Sequence, residues 1–85
     1  MSWSDVGGWQ ALAAYLDRDG EGNAANVRLP VHESRDNLVF SEDPGETVAL
    51  VGVSDLVVVR AGRNTLVVPR DRAEEVKRLV EKLEE

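Results

Sequence analysis

The stretch that decides the fold runs from Val48 to Val68 and reads VALVGVSDLVVVRAGRNTLVV. It contains three short apolar runs rich in β-branched residues, which are typical of strands. Ser54-Asp55 separates the first run from the second, and Gly62-Arg63-Asn64 separates the second from the third. These separating residues suit turns. Because every run is far too short to span a bilayer, the stretch predicts closely spaced strands of a soluble domain.

Similar runs continue toward the N-terminus. Val27–Val31 alternates apolar and other residues, and Leu38–Phe40 is another short apolar run. Turn residues separate these runs at Asp36-Asn37 and at Asp43-Pro44-Gly45. Together with the stretch above, the pattern predicts five short strands between about Asn26 and Pro69, and therefore an all-β middle.

The spacing of the apolar runs leaves two arrangements open. Leu38-Val39 recurs as Leu56-Val57, and the interval from Val48 to Leu66 is the same, at 18 positions along the chain. A coil of a left-handed parallel β-helix has three sides of about six residues, so stacked coils would produce this recurrence. An antiparallel meander of short strands is the alternative.

A helix is predicted on either side of the strands. At the N-terminal side, Gly8–Leu16 carries an apolar face that ends near Asp17, where the polar, turn-rich stretch 18–23 begins. The members of that face are Trp9, Leu12, Ala13 and Leu16. The fold class expected from the sequence is thus mainly β with flanking helices.

The C-terminal helix is predicted over residues 71–85. Asp71 followed by Glu74 resembles a capping box with aspartate at the N-cap. Glu74–Arg78 and Lys77–Glu81 are opposite charges at i, i+4, a spacing that stabilises helices. An apolar stripe runs along the helix and must pack against something, so its members are candidates for association. They are Val76, Leu79, Val80 and Leu83.

Length and charge restrict the class of protein. The chain has 85 residues, no cysteine and a formal net charge of −6. This length fits one small domain with a thin core. An acidic balance argues against a nucleic-acid partner, which needs a basic face. We find neither a signal peptide nor a membrane span, and we expect a soluble cytoplasmic domain.

Asp5 is the first candidate for chemistry. It lies just before the predicted first helix and is followed by Gly7 and Gly8. A carboxylate there suits a hard cation such as Mg²⁺, which takes one or two carboxylates together with phosphate oxygens and water. The glycines would let the backbone approach a bulky ligand. The plain alternative is a loop acid near a helix N-terminus, where negative charge is favoured.

Five segments resemble mannose-1-phosphate guanylyltransferases, in order and across nearly the whole chain. The first is similar to the W-S-D-V-G-x-W segment that closes the catalytic domain of that family, and Gly8 stands where a serine is common. The others resemble its D-x-x-G-N loop, its N-x-V-x-S strand, its V-G-V-x-D-L-V-V-V core and its P-x-D-R-A-x-E-V-K ending. In this sequence the segments are Trp3–Trp9, Asp19–Asn23, Asn37–Ser41, Val51–Val59 and Pro69–Lys77.

The resemblance implies that Asp5 is a ligand of the catalytic Mg²⁺ and that Gly7 and Gly8 lie near the substrate. It also favours the β-helix over the meander. Residues 1–23 would be the end of a catalytic domain, 24–70 the β-helix-like domain and 71–85 the helix. The whole enzyme would convert GTP and mannose 1-phosphate to GDP-mannose and pyrophosphate. The family's glycine-rich nucleotide loop, G-G-x-G-T-R-L, does not occur here, so we expect the isolated chain to be inactive and to need no cofactor.

Two other functions stay open at this point. One is a non-catalytic assembly module, which would pack against a nucleotidyltransferase catalytic domain or a second copy. Its basis is that five valines of the middle hold more apolar surface than one thin core can easily hide. They are Val57, Val58, Val59, Val67 and Val68. The other is a β-helix acyltransferase, which needs a catalytic histidine. His32, the single histidine, is expected instead to be a surface or strand residue.

Overall fold

A computed structural model describes residues 13–83, including every side chain except those of Val80 and Leu83. The described part is mainly β. Seven strands are flanked by a 3-10 turn η1 (Ala13–Tyr15), a 3-10 segment η2 (Arg70–Glu75) and one short helix α1 (Val76–Leu83). The strands are β1 (Asp17–Arg18), β2 (Ala24–Ala25), β3 (Val31–His32), β4 (Leu38–Ser41), β5 (Leu50–Val51), β6 (Leu56–Ala61) and β7 (Asn64–Pro69).

The strands form two sheets. The larger sheet has the order β1-β2-β4-β6-β7, and the smaller consists of β3 and β5. β2, β4 and β6 pair in parallel, as do β3 and β5. The short connections between parallel neighbours contain a strand of the other sheet, which is consistent with a β-helix-like winding. The antiparallel meander is therefore wrong for the middle of the chain, although β6 and β7 form an antiparallel hairpin.

From β3 to β5 and from β4 to β6, the interval between stacked residues is 19 positions, one longer than the sequence pattern predicts. From β2 to β4 it is shorter, because Ala24 stacks on Leu38 at 14 positions. Leu38 pairs with Val57 and not with Leu56, and Val31 pairs with Leu50 at the same interval. The prediction aligned the beginnings of apolar runs, whereas residues of equal burial pair in the structure. Leu38 and Val57 are both buried, while Leu56 is half-buried. Leu66 does not stack on Val48, because it faces Val59 across the hairpin.

Both faces of the larger sheet are covered. One face carries a cluster inside the winding, formed by Ala25, Val39 and Val58 with half-buried apolar neighbours. The other face carries a second cluster, to which both ends of the described part contribute, and we call it the terminal cluster. Its buried members are Ala13, Ala24, Leu38, Val57, Val59, Leu66, Ala73 and Val76.

Coverage of both faces corrects the expectation of surplus apolar surface. Successive residues of a strand point to opposite faces, so an unbroken apolar run fits a sheet that is buried on both sides. Val57, Val58 and Val59 are buried, and Val68 is half-buried. Of the five valines, Val67 alone is exposed.

The C-terminal segment begins differently from the prediction. η2 begins at Arg70, with Pro69 at the N-cap position and without a side-chain cap, so the capping box at Asp71 is wrong. The chain leaves β7 directly into a 3-10 turn, and this places Asp71 inside the turn. Arg72 instead forms a bidentate pair with Glu75, with Nε–Oε2 and Nη2–Oε1 distances of 2.6 and 2.7 Å.

The N-terminal helix prediction is tested only at its end. Residues 8–12 lie outside the described part, and Ala13–Tyr15 form a 3-10 turn. Asp17–Arg18, expected as helix end and turn, pair with β2 as a short strand. The division at residues 23 and 70 stays a prediction, and the terminal cluster joins residues from all three segments. Within residues 13–83, no helix is long and apolar enough to cross a membrane.

Candidate functional site

The residues predicted to hold the metal and substrate lie outside the described part. Asp5, Gly7 and Gly8 all precede Ala13, so their roles stay predictions. Among residues 13–83, no group of three or more histidine, cysteine, aspartate or glutamate side chains could hold a metal ion.

The predicted association stripe is divided by the structure. Val76 is 4% exposed and belongs to the terminal cluster, so its side chain is already covered by the chain itself. Leu79 is 41% exposed. The side chains of Val80 and Leu83 are outside the description. Leu79 is thus the described member of the stripe that is available to a partner.

Leu79 lies beside a second exposed apolar residue. A shallow groove between β7 and the C-terminal segment is lined by Val67, Leu79 and their neighbours. Val67 is 58% exposed, and Arg72 and Glu75 also line the groove. Among the described strands, β7 pairs with β6 alone and forms an edge of the sheet. An edge strand beside an apolar groove is a surface suited to association.

A buried ladder of two asparagines connects successive coils of the winding. The first coil runs from β2 to β4 and the second from β4 to β6. Asn23 Oδ1 accepts hydrogen bonds from the backbone N–H and Nδ2 of Asn37, each at 3.0 Å. Asn37 Nδ2 also donates to the carbonyl of Val53 at 3.1 Å, and Asn37 Oδ1 accepts from the N–H of Leu56 at 2.9 Å. Both asparagines are at most 1% exposed. Buried polar groups of this kind require partners, and here they hold the coils in register.

Asp19 completes the ladder at the N-terminal side. Its carboxylate accepts hydrogen bonds from the N–H of Glu21 at 2.9 Å and from the N–H and Nδ2 of Asn23 at 3.0 and 2.8 Å. The hydrogen bond from the Asn23 side chain lowers the pKa of Asp19. Burial opposes this shift, and the two backbone N–H donors add to it. The loop 19–23 is thereby closed onto the first coil.

A second network lies at the other end of the strands. The side chain of Asn26 exchanges two hydrogen bonds with the backbone of Ser41, at 2.7 and 2.9 Å. The Ser41 hydroxyl donates to Glu46 Oε1, and Arg60 Nη2 lies 2.7 Å from Glu46 Oε2. The hydrogen bond from Arg60, then that from Ser41, lowers the pKa of Glu46. This network fixes the connection after β4 to β6.

Corners of the winding use left-handed backbone at equivalent positions. Gly22, Asp36 and Asp55 each stand two residues before paired positions of β2, β4 and β6, and all three have positive φ. Glu33 and Gly52, which follow the paired residues of β3 and β5, are also both left-handed. Aspartate tolerates this conformation better than most residues, and glycine is free of its steric cost.

Sequence reasoning missed both networks. Asn23 and Asn37 were interpreted as turn residues, which matches their position at corners but not their burial. Apart from Asp19, which lies four positions before Asn23, their partners lie 11 to 19 positions away along the chain, so local pattern cannot reveal them. The available signal was an asparagine directly before each of the paired runs that begin at Ala24 and Leu38.

The remaining polar candidates have structural contacts. His32 is an exposed residue of β3, as predicted, and its Nε2 lies 3.0 Å from Glu33 Oε1. The Ser34 hydroxyl donates to the His32 carbonyl and accepts from the Val53 N–H, at 3.1 and 3.2 Å. No hydroxyl–histidine side-chain pair suited to nucleophilic catalysis occurs in the described residues.

Known proteins are similar to this chain in sequence and in fold. Residues 29–83 match the family model of the MannoseP isomerase/GMP-like beta-helix domain. The chain is 39% identical over 83 residues to a mannose-1-phosphate guanylyltransferase of Escherichia coli, which covers 98% of the chain and 17% of that protein. It is 37% identical, with the same coverage of both proteins, to a mannose-1-phosphate guanylyltransferase of Klebsiella pneumoniae.

A solved structure agrees with the sequence relatives. The crystal structure of mannose-1-phosphate geranyltransferase from Thermus thermophilus superposes with a TM-score of 0.74 at 36% identity. The superposition covers 95% of this chain and 24% of that one. The chain thus spans 17% of the length of the curated relatives named above.

Proposed function

The chain belongs to the MannoseP isomerase/GMP-like beta-helix domain family, and from that membership we propose that it is the β-helix module of a mannose-1-phosphate guanylyltransferase. The enzyme would convert GTP and mannose 1-phosphate to GDP-mannose and pyrophosphate. The observation that carries the proposal is the length of the match. Because the alignment with the Escherichia coli relative covers 98% of the chain, it includes Asp5 as well as the strands.

Asp5 is the residue through which this module would contribute to the reaction. Its carboxylate would bind Mg²⁺ together with ligands from a catalytic domain and phosphate oxygens of the substrates. Bound Mg²⁺ would neutralise charge as mannose 1-phosphate attacks the α-phosphorus of GTP. Gly7 and Gly8 would allow close approach of the backbone to the bound substrate.

The 85 residues alone would not catalyse the reaction, because they supply one metal ligand and no nucleotide loop. This is tested by incubating the purified chain with GTP, mannose 1-phosphate and Mg²⁺ and measuring GDP-mannose by chromatography. We expect no product above the blank. Synthesis that scales with the amount of chain would contradict this expectation.

A graft tests the positive part of the proposal. The corresponding C-terminal segment of the Escherichia coli relative is replaced by this chain, and GDP-mannose formation is measured. We expect the graft to retain a rate within about tenfold of the parent, because a homologous module should restore the missing ligand and support. A folded graft with no activity would contradict the proposal.

A second candidate function is association without catalysis. Two exposed apolar residues favour association: Val67, which belongs to the edge strand β7, and Leu79, which lies beside it. The partner would be the nucleotidyltransferase catalytic domain or a second copy of the chain. This role is compatible with the first, since one module can supply Asp5 and still pack against a neighbour.

Three finer expectations accompany the proposal. We infer a left-handed winding from the family resemblance, and a crystal structure of the chain would test the handedness. The predicted absence of nucleic-acid and membrane partners stays a prediction, as does location in the cytoplasm. Cell fractionation with an antibody to the chain would test the location.

A further inference from the structure

We propose that the C-terminal segment, residues 70–83, holds the N-terminal segment of the described chain, residues 13–18, on the sheet. Two independent connections support the inference. One is apolar and lies in the terminal cluster, and the other is polar and lies at Asp36. Residues of the C-terminal segment would thus be positioning residues for a part of the chain far earlier in the sequence.

The apolar connection is the shared core. Ala13 and Leu16 from the N-terminal segment pack in the same cluster as Ala73 and Val76 from the C-terminal segment. The sheet contributes Leu38 and other residues to this cluster. Ala13, Ala73 and Val76 are each 4% exposed, so all three depend on neighbours for their burial. A smaller side chain at position 76 would leave a cavity in the cluster and reduce the burial of its other members.

The polar connection passes through Asp36, at a corner of the first coil. The Asp36 carbonyl accepts a hydrogen bond from Arg70 Nη1 at 2.9 Å, and the Asp36 N–H donates to the Glu21 carbonyl at 3.2 Å. The N–H of Arg70 also donates to the Asp55 carbonyl at 2.8 Å. Arg70 therefore joins the beginning of the C-terminal segment to the corners of both coils, and Asp36 joins one of these corners to the loop 19–23.

The N-terminal segment has few other anchors in the described part. β1 is two residues long and pairs only with β2, which is also two residues long. The N–H of Leu16 donates to the Ala13 carbonyl at 3.3 Å, a weak bond within a single turn. Short pairings of this kind open locally at low cost unless tertiary packing holds them. Ala73 and Val76 of the C-terminal segment belong to the cluster in which Ala13 is buried and against which Leu16 packs.

One consequence rests on the proposed function. Asp5 lies shortly before Ala13 in the chain, so a loosened attachment of Ala13 and Leu16 would weaken its binding of Mg²⁺. A positioning role of this kind predicts a change in metal affinity with little change in the rate at saturating Mg²⁺.

A matched pair of variants tests the inference. Val76 and Val58 are both valines, 4% and 5% exposed, and lie in different clusters. Hydrogen exchange of the Leu16 amide is followed by NMR in the chain with Val76→Ala and in the chain with Val58→Ala. We expect exchange to be faster by about tenfold for Val76→Ala and by less than about threefold for Val58→Ala, since only Val76 shares a cluster with Ala13 and Leu16.

Equal acceleration in both variants, or none in either, would overturn the inference. If Val76→Ala does not fold, Arg70→Gln interrupts the polar connection without a core cavity, and the same amide is followed. Acceleration at Leu16 in that variant supports the inference, and unchanged exchange overturns it.

The graft described under the proposed function gives the second readout. For Val76→Ala we expect the Mg²⁺ concentration at half-maximal rate to rise by roughly threefold or more, with the saturated rate changed less than about twofold. Val58→Ala should leave that concentration unchanged. Equal half-maximal concentrations in the two variants would refute the effect on the metal. An inactive graft would refute the proposed function instead, while the exchange measurement still decides the attachment.

Discussion

Asn37 lies directly on Asn23 in the core of the winding, and Asn23 Oδ1 accepts hydrogen bonds from both the backbone N–H and the side-chain Nδ2 of Asn37. The contact gives the Asn37 N–H a side-chain acceptor, while the Asn37 carbonyl accepts the Ala24 N–H at 2.9 Å. All four hydrogen-bonding positions of the Asn23 amide are used, because its Nδ2 donates to Asp19 and to the Ser34 carbonyl. The ladder is thus a specific stabilising element and not a general polar patch.

Removal of the ladder should be costly. Asn37→Ala leaves the Val53 carbonyl and the Leu56 N–H without their side-chain partner, and it removes the side-chain link to Asn23. We expect a loss of about 2–4 kcal/mol in the free energy of unfolding, measured with urea. Asn64→Ala, at an exposed position of β7, is the control and should cost less than about 0.5 kcal/mol. Similar losses for the two variants would show that the ladder has no special role.

The corner glycines should differ in their tolerance of a side chain. Gly22 and Gly52 have φ of +83° and +65°, so alanine is strained at both, by about 1 kcal/mol. At Gly52 a Cβ meets nothing within 4 Å, whereas at Gly22 it would collide with Oδ1 of Asp36. Because that oxygen ends an exposed side chain that can rotate aside, we expect Gly22→Ala to cost only about 0.5–1 kcal/mol more than Gly52→Ala. The extra cost should disappear when Asp36→Gly is added, and its persistence would refute the collision.

Acid should weaken the chain through Glu46. Its pKa in the folded chain lies below the ordinary value of 4.5, because Arg60 and Ser41 stabilise the charged form. A carboxyl group with a lowered pKa stabilises the folded chain at pH values above its ordinary pKa. This stabilisation is lost as the pH falls through the pKa that the group has in the folded chain. Glu46→Gln should therefore be less stable than the natural chain at pH 7, with the difference shrinking below about pH 4.5. Urea midpoints at pH 7 and pH 3 measure it, with exposed Glu42→Gln as the control. A difference independent of pH would contradict the role of the carboxylate.

Self-association should depend on the groove at β7. Val67→Lys combined with Leu79→Lys places two charges on its exposed apolar residues, and we expect the dissociation constant to rise by about tenfold or more. Sedimentation velocity over a range of concentrations gives the constant. Val51→Lys is the control, because Val51 is 71% exposed but lies on β5. A natural chain that stays monomeric at high concentration, or equal effects of the two changes, would count against this surface.

Apolar, β-branched runs made the main strands predictable. Leu38–Phe40, Leu56–Val59 and Leu66–Val68 correspond to β4, β6 and β7, which confirms those predictions. Of the strand expected at Val27–Val31, only Val31 belongs to an observed strand, β3. The strand β2 at Ala24–Ala25 was not predicted. Alanine has little preference for strands, so only pairing with β4 identifies it.

Register and the supporting networks were beyond a local pattern. Leu38 pairs with Val57, which stands one position after the beginning of the apolar run at Leu56. The reason is that Val57 is buried, whereas Leu56 is half-buried. That burial depends on the helical segments that cover the sheet. The role of Val76 shows the same limit. Its position in an apolar stripe was correct, but the stripe does not reveal that the chain's own core takes up this side chain.

The rate of GDP-mannose formation by the graft, with and without Asp5→Asn, tests the central claim most directly. We predict that Asp5→Asn lowers the rate by about a hundredfold or more at low Mg²⁺, because a metal ligand is lost. Asp71→Asn, an exposed aspartate of η2, should leave the rate within about twofold. An active graft whose rate and Mg²⁺ dependence are unchanged by Asp5→Asn would contradict the claim that this chain supplies a ligand of the catalytic metal.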